Sequence, residues 1–244
     1  MDKPLAKLTG ELIGTFALTF IGAGAILTTT WTGGQPGLVG IALAHGLALA
    51  IAVSATMNVS GGHINPAVTA AMMATGRIKP AAGMAYIIAQ CIGATVAGMM
   101  LANIFGGLGV GAGGITGRAA VEACKLGTPA HDVAFISSGA AVFVEAILTF
   151  LLLFAVFGTA VDGRAPHIGG FGIGLTVGMD ILMGGPITGA AMNPARTIGT
   201  LIGGGNATSM LWSQHWVYWV GPILGALIAA FVYDGLILKK SERT

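Results

Sequence analysis

Two short stretches decide the fold of this chain: Gly62-His63-Ile64-Asn65-Pro66-Ala67 and Ala191-Met192-Asn193-Pro194-Ala195-Arg196. Asn followed by Pro is typical of a helix start, because the Asn side chain caps free amides and Pro suits the first helical position. Each motif opens an apolar segment, to Gly76 or to about Gly203. Such a segment of about twelve residues covers about 18 Å, roughly half a bilayer core. The pattern therefore predicts two half-helices that enter a membrane without crossing it.

The composition places most of the chain in lipid. Of 244 residues, 55% are hydrophobic and 8% are charged, whereas soluble domains carry roughly 25% charged residues. So few charges cannot cover a soluble protein of this size, which disfavours the alternative of two ordinary capped helices. The net charge of +2 and the lack of a basic run predict no nucleic-acid partner. Cys91 and Cys124 form no metal-like pair, so neither a metal nor a cofactor is expected.

Six longer apolar stretches can each cross a membrane as a helix, which takes about 20 apolar residues. Gly, Pro and charged residues separate them, for example Gly33-Gly34-Gln35-Pro36 and Asp162-Gly163-Arg164-Ala165-Pro166. The predicted spans are 8–30, 38–58, 81–105, 133–158, 168–186 and 214–238. The sequence therefore predicts an all-α membrane protein with six transmembrane helices and two re-entrant half-helices.

Lysine and arginine concentrate on one side of the predicted membrane. Of the 11 such residues, eight lie on the side of the termini, two (Arg118 and Lys125) lie on the other side, and Arg196 lies within the membrane. Because cytoplasmic loops carry the excess of Lys and Arg, we expect a multi-pass protein of the cell membrane with both termini in the cytoplasm. The eight are Lys3, Lys7, Arg77, Lys79, Arg164, Lys239, Lys240 and Arg243.

The two halves of the chain resemble each other. Glu11-Leu12-Ile13-Gly14-Thr15-Phe16 corresponds to Glu145-Ala146-Ile147-Leu148-Thr149-Phe150, and the two Asn-Pro-Ala motifs fall at matching places. Three membrane helices in each half require the halves to insert with opposite topology, and such a repeat places a site at the midplane between them. We expect one domain, 1–244, with a first repeat at about 5–105 and a second at about 133–238.

Two Asn-Pro-Ala motifs in an inverted six-helix repeat, the second extended by Arg196, resemble the aquaporin family, also called the major intrinsic proteins. The resemblance runs from Glu11 to Asp234 and is strongest to archaeal and bacterial water channels with a wider filter. It implies an aquaporin-like fold, assembly as a homotetramer in the lipid bilayer, and a passive channel for water. Glycerol and dissolved gases are further small neutral solutes that such a channel can pass. The resemblance implies no enzymatic activity.

The resemblance also assigns roles to the motif residues Asn65, Pro66, Ala67, Asn193, Pro194 and Ala195. We expect both asparagines on a water-filled lumen, where each caps its half-helix through its oxygen and offers its NH₂ group to passing water. Two helix N-termini that face each other place about half an elementary charge each at mid-channel. Ions and protons should meet a barrier there, whereas neutral molecules should not.

The family builds a narrow filter from four positions, and the resemblance places them at His45, Ile181, Ala190 and Arg196. Arg196 is expected to donate to water and to repel cations. At the other three positions, strict water channels of the family carry Phe, His and a small residue, and glycerol channels carry Trp, Gly and Phe. This chain departs from both patterns. A histidine can titrate near neutral pH, which leaves a pH effect on conduction open.

Three further residues help to choose between solutes. Tyr218-Trp219 resembles the aromatic pair of water channels, and Thr197 stands where glycerol channels usually carry Asp. Ile181 and Ala190 nevertheless leave room for a larger solute. Water is therefore the expected substrate, with a glycerol-type facilitator as the alternative.

Buried ionisable residues in the membrane raise other functions. Glu11, Glu145 and His63 are expected to be structural, each supporting the non-helical approach to a half-helix. A proton-coupled transporter would instead use Glu11, Glu145 and His45 as a relay, although helix N-termini at the centre oppose protons. A membrane junction protein with a closed pore is a more distant alternative. An enzyme is the weakest, because no nucleophile, base and orienting group occur together.

Overall fold

The computed structural model describes residues 3–166 and 168–238, and the described part is helical apart from its loops and one isolated bridge. Six helices are long and apolar enough to cross a membrane, which confirms the predicted all-α membrane fold. The helices are α1 Pro4–Trp31, α2 Gly37–Thr56, α3 Pro66–Ala74, α4 Pro80–Gly106, α5 Gly117–Ala123, α6 Ser138–Val156, α7 Phe171–Thr188, α8 Pro194–Gly203 and α9 Val217–Val232.

Helices α3 and α8 are the two half-helices, with 9 and 10 residues. Each packs against a crossing helix of the other half: α8 lies on α4, and α3 lies on α9. The crossing helices repeat one arrangement, since α1 packs on α4 as α6 packs on α9. The inverted repeat of the sequence is therefore a repeat of helix packing.

Matching glycines permit the closest helix contacts in the two halves. A Cβ atom on Gly93 of α4 would lie 2.1 Å from the Leu12 carbonyl oxygen of α1. A Cβ atom on Gly225 of α9 would lie 2.0 Å from the Ala146 carbonyl oxygen of α6. No larger residue fits at either place, and small residues of this kind let membrane helices approach closely.

The outer surface of the bundle is apolar. Large hydrophobic side chains are exposed on every crossing helix, where a soluble protein would carry charge. Examples are Ile13, Leu47, Ile88, Phe143, Leu175 and Ile228. Lipid is the solvent that suits this surface.

Most predicted span boundaries differ from the observed helix ends by one to six residues, and two differences between the third and fourth spans have a clear local cause. The fourth span begins at Ser138 rather than 133, because Ser137 caps it and Asp132 turns the preceding backbone by accepting from the Ala134 amide at 2.9 Å. The segment between the third and fourth predicted spans contains the short helix α5, whose cap Thr116 accepts from the Ala119 amide at 3.2 Å. Local caps, which lack a hydrophobic period, set both features.

Six crossings bring the two ends of the described chain, Lys3 and Leu238, to the same side of the membrane. We call this the termini side and the opposite one the filter side. Three of the residues used to predict orientation, Lys239, Lys240 and Arg243, lie outside the described residues.

Candidate functional site

A cavity of about 190 Å³ lies between the two halves of the bundle. Much of its wall is aliphatic, with side chains such as Leu49, Val53, Val68, Leu152 and Val177. Seven of the residues singled out in the sequence also line it: His45, His63, Asn65, Ile181, Ala190, Asn193 and Arg196. The remaining motif residues, Pro66, Ala67, Pro194 and Ala195, are buried in the first turns of the half-helices and are not part of the lining.

The two half-helices meet at their N-termini through reciprocal hydrogen bonds. The Asn65 Oδ1 atom accepts from the Ala67 amide at 2.8 Å, and its Nδ2 atom donates to the Met192 carbonyl at 2.8 Å. Asn193 Nδ2 donates in turn to the Ile64 carbonyl at 2.9 Å. Because an amide group carries two N–H donors, each asparagine keeps one for the cavity rather than the two expected from the sequence.

The backbone just before each asparagine adopts a left-handed conformation. Ile64 has φ of 56° and Met192 has φ of 50°. Such values are rare for residues with branched or long side chains, and the surrounding structure must hold them in place. They turn the carbonyl groups of Ile64 and Met192 toward the asparagine of the opposite half, whose amide nitrogen donates to that carbonyl and to no other group among the described residues.

Two fully buried glutamates hold these strained segments. Glu145 accepts at Oε1 from the Thr188 hydroxyl at 2.6 Å and the Ala191 amide at 2.9 Å, and at Oε2 from the Met192 amide at 2.8 Å. Glu11 does the same for the first half and receives one donor more. Its donors are Ser60 Oγ at 2.6 Å, the His63 amide at 3.0 Å, the Ile64 amide at 2.6 Å and Gln90 Nε2 at 2.6 Å.

Sequence reasoning missed Ser60 and Thr188, whose hydroxyl groups donate to Glu11 and Glu145 respectively. Each lies five residues before the asparagine of its half, so the repeat itself carried the signal. The sequence singled out Tyr218 only as an aromatic residue. Its hydroxyl also supports the loop before the second motif, because it donates to the Thr188 carbonyl at 2.8 Å.

Arg196 lies inside the protein with 2% of its surface exposed. Its Nη2 atom donates to the Nε2 atom of His45 at 3.1 Å, while its Nε and Nη1 atoms have no partner among the described residues. Buried guanidinium N–H groups without partners are costly unless water or solute supplies acceptors. Arg196 lines the cavity, but its Nε and Nη1 atoms have almost no accessible surface in this conformation.

His45 has a defined protonation state in this arrangement. Its Nδ1 atom lies 2.9 Å from the Ile41 carbonyl oxygen, which can only accept, so Nδ1 carries the proton. Its Nε2 atom then accepts from Arg196. A second proton on Nε2 would face the guanidinium directly, so the contacts fit the neutral ring.

His63 does more than support the approach to the first half-helix, which is the role that the sequence predicted. Its backbone amide does bind Glu11, but the side chain is only half-buried and lines the cavity on the termini side of Asn65. Its Nδ1 atom lies 3.1 Å from the Thr69 hydroxyl. The ring therefore contributes polar surface to the cavity as well as support to the loop.

Two half-helices that meet N-terminus to N-terminus across a cavity, inside an inverted six-helix bundle, define a membrane channel of the aquaporin class. The sequence pattern of the family described as Major intrinsic protein matches residues 2–233, and the chain belongs to this family. It is accordingly a multi-pass membrane protein and a passive channel for water and small solutes, and it is not an enzyme.

Similar proteins support this assignment over almost the whole chain. Aquaporin TIP4-4 of Zea mays is 43% identical over 239 residues, which is 94% of this chain and 86% of the relative. Aquaporin TIP2-1 of Arabidopsis thaliana is 39% identical over 247 residues, covering 98% and 90%. The X-ray structure of the aquaglyceroporin from Plasmodium falciparum superposes with a TM-score of 0.79 at 26% identity, covering 96% of this chain and 97% of that one.

These relatives bear on one expectation drawn from the sequence. The family is confirmed, but the proteins just named from maize and Arabidopsis are plant aquaporins. The expected special likeness to archaeal and bacterial water channels finds no support in them. Filter composition alone, without a comparison of whole sequences, could not separate these branches.

The cavity lining predicts weak inhibition by mercuric ion. Neither Cys91 nor Cys124 lines the cavity, and Ala190 offers no thiol there. Water flux through reconstituted protein should therefore change little in mercuric chloride, whereas Ala190→Cys should be strongly blocked. Strong block of the unmodified protein would contradict this cavity lining.

Proposed function

We propose that this chain is a water channel that passes water much faster than glycerol and excludes ions and protons. The observation that carries the proposal is the buried pair of Arg196 and His45 on the cavity wall, with two guanidinium nitrogens, Nε and Nη1, unpaired among the described residues. Water is small enough to approach this guanidinium in a confined space and to accept a hydrogen bond from it. A larger polyol would have to pass the same pair with its carbon chain against it.

Exclusion of cations follows from charge in the same cavity. Arg196 is positively charged, and the N-termini of α3 and α8 add about half an elementary charge each. A cation would have to enter a low-dielectric space that already carries like charge, where repulsion is strong. A neutral molecule meets no such barrier.

The single free N–H group on each of Asn65 and Asn193 supports the exclusion of protons. A water molecule between them accepts two hydrogen bonds through its oxygen. Its lone pairs are then occupied, and it cannot accept a proton from a neighbouring water. The flanking wall of Leu49, Val68 and Val177 offers no alternative acceptor.

A glycerol-type facilitator is the second candidate. Ile181 and Ala190 line the cavity with apolar and small side chains, and such a wall suits the carbon backbone of a polyol. In this case Arg196 would bind hydroxyl groups as acceptors.

The test is stopped-flow light scattering on reconstituted vesicles. Water flux at least about a hundredfold faster than glycerol flux is expected, since differential binding at a filter commonly reaches two or more orders of magnitude. Protein-free vesicles are the control for lipid permeability. Comparable water and glycerol rates would support the facilitator, and the absence of any flux above the control would support the closed junction protein.

We further propose that four copies assemble in the cell membrane with both termini in the cytoplasm. The apolar outer faces of the crossing helices and the lysine and arginine excess on the termini side support this. Native mass spectrometry of the detergent-solubilised protein should give a mass of four chains of 24.3 kDa. A protease added to intact cells should leave a tag at either terminus uncut. Cleavage of the tag would show that the termini lie outside the cell.

A further inference from the structure

The channel cavity has a boundary on the termini side that is far from the filter. Gly61, Ala160 and Val161 line the main cavity and also line a second, more open hollow that includes Asp162 and Gly163. A residue that borders both spaces lies at the passage between them. We call these three residues the inner mouth.

Two of the three inner-mouth residues lie on one short backbone segment. Ala160 and Val161 end the π-helical turn Phe157–Val161 that follows α6. Their position depends on what holds this turn and the loop after it, because neither side chain makes a polar contact of its own. The next residue, Asp162, supplies that contact.

Asp162 is the centre of a hydrogen-bonded group that ties the loop to the end of α9. Its Oδ1 accepts from the Arg164 amide at 2.9 Å and from Arg164 Nε at 2.9 Å. Its Oδ2 accepts from Arg164 Nη2 at 2.7 Å and from the Tyr233 hydroxyl at 3.1 Å. The side chain of Asp162 is only 7% exposed, whereas that of Arg164 is 45% exposed, so the carboxylate is shielded from water while its arginine partner reaches the surface.

Tyr233 is itself anchored. Its ring lies 5.1 Å from the ring of Phe154 and 5.7 Å from that of the fully buried Phe157. The guanidinium of Arg77, just after half-helix α3, lies 5.1 Å above Phe157 and bonds Asp234 at 2.6 Å. Three chain segments therefore converge behind the inner mouth: the end of α3, the turn after α6 and the turn after α9.

We propose that Asp162 and Tyr233 are positioning residues that hold the inner mouth open. The proposal rests on the conduction proposed above and adds to it a second place that controls the rate of flow. The cavity wall is apolar and includes Val156 and Met72, which belong to the core cluster that Val161 packs against. A released Val161 would lower its exposure to water by moving toward them, and the passage would narrow.

The charge state of the group is constant under ordinary conditions. The Arg164 side chain, hydrogen-bonded to both oxygens, holds the pKa of the Asp162 carboxyl well below its usual range. A carboxylate with a depressed pKa keeps its stabilising contacts above its unfolded value of about 3.9 and loses them only as the pH falls through the folded value. The group is therefore a fixed support at neutral pH.

The test compares Asp162→Asn and Tyr233→Phe with the unmodified channel in vesicles of equal protein content. Tyr233→Phe keeps the ring and removes only the hydroxyl, so it tests the proposal even if Asp162→Asn folds poorly. Water permeability per molecule should fall by at least about threefold in both, because each loses a charge-assisted hydrogen bond behind the mouth. Asp132→Asn, a carboxylate on the filter-side surface, is the matched control and should conduct normally.

The ratio of glycerol to water permeability separates a positioning role from general damage. The proposed filter residues are not at the inner mouth, and a narrower mouth hinders glycerol at least as much as water. This ratio should therefore stay unchanged or fall while the absolute water permeability falls, whereas damage that widens the filter would raise the ratio. Unchanged water flux in both variants, or a fall in water flux that comes with a raised ratio, would overturn the proposal. Absence of flux in the unmodified protein would instead overturn the proposed function.

Discussion

Arg196→Val should make the channel conduct protons. The substitution removes the one arginine or lysine among the described residues that line the cavity, and it leaves the Nε2 atom of His45 without its donor. A proton that enters then meets less repulsion and finds a basic site. We expect proton permeability to rise by at least about tenfold, which corresponds to a barrier lower by about 1.4 kcal/mol, a small part of what one buried charge contributes.

The measurement uses vesicles loaded with a pH-sensitive dye and exposed to a pH step. Arg118→Val is the matched control, because Arg118 is exposed on the filter side and does not line the main cavity. Water flux should persist in both variants, since the asparagine pair and the rest of the wall are unchanged. A proton permeability equal to that of the control would show that Arg196 is not the charge that excludes protons.

A glycerol measurement on the same variant tests whether Arg196 also sets the aperture. Removing a large side chain from the cavity wall should speed glycerol as well as protons. Faster protons with unchanged glycerol would mean that charge and width are controlled by different residues, with Ile181 and His45 left to set the width.

The sequence predicted the architecture well because hydrophobic length and the repeat are strong signals. Six apolar stretches became six crossing helices, and Asn-Pro at the start of each short segment became a capped half-helix. Helix ends were less predictable. Ser137 and Thr116 set them through local caps that no hydrophobic period reveals.

The sequence could indicate residues of the cavity wall, but it could not give their contacts. Alignment to the family pattern selected His45, Ile181, Ala190 and Arg196. In the structure all four line one cavity. Two kinds of contact join residues more than a hundred positions apart. They are the hydrogen bond between Arg196 and His45 and the reciprocal hydrogen bonds that each asparagine side chain donates to the opposite half. Spacing along the chain carries no information on such contacts.

The inner mouth shows the same limit. Asp162 and Arg164 read in the sequence as charges in a turn, and Tyr233 as one aromatic residue near the end of a helix. Only the fold brings the Tyr233 hydroxyl to within 3.1 Å of Asp162. A hydrogen bond between two loops that follow different helices has no local signature.

Glu145→Leu should abolish conduction and lower the melting temperature of the solubilised protein. The leucine fills a similar space but leaves the Thr188 hydroxyl and the amides of Ala191 and Met192 without an acceptor. Each unpaired buried donor costs about 1–3 kcal/mol, so the loop that carries the second motif should lose several kcal/mol of stability. Because Met192 has a strained backbone that these bonds hold, the loop should leave its native conformation.

Three further variants give a scale for the expected loss of stability. Glu145→Gln keeps one acceptor oxygen, so its melting temperature should fall between those of Glu145→Leu and the unmodified protein. Glu122→Leu removes an exposed carboxylate and should change neither stability nor flux. Glu11 receives four donors where Glu145 receives three, so Glu11→Leu should be at least as damaging. If Glu145→Leu conducts water normally, the glutamates are not what holds the half-helices at the centre of the channel, and the reciprocal asparagine bonds must suffice.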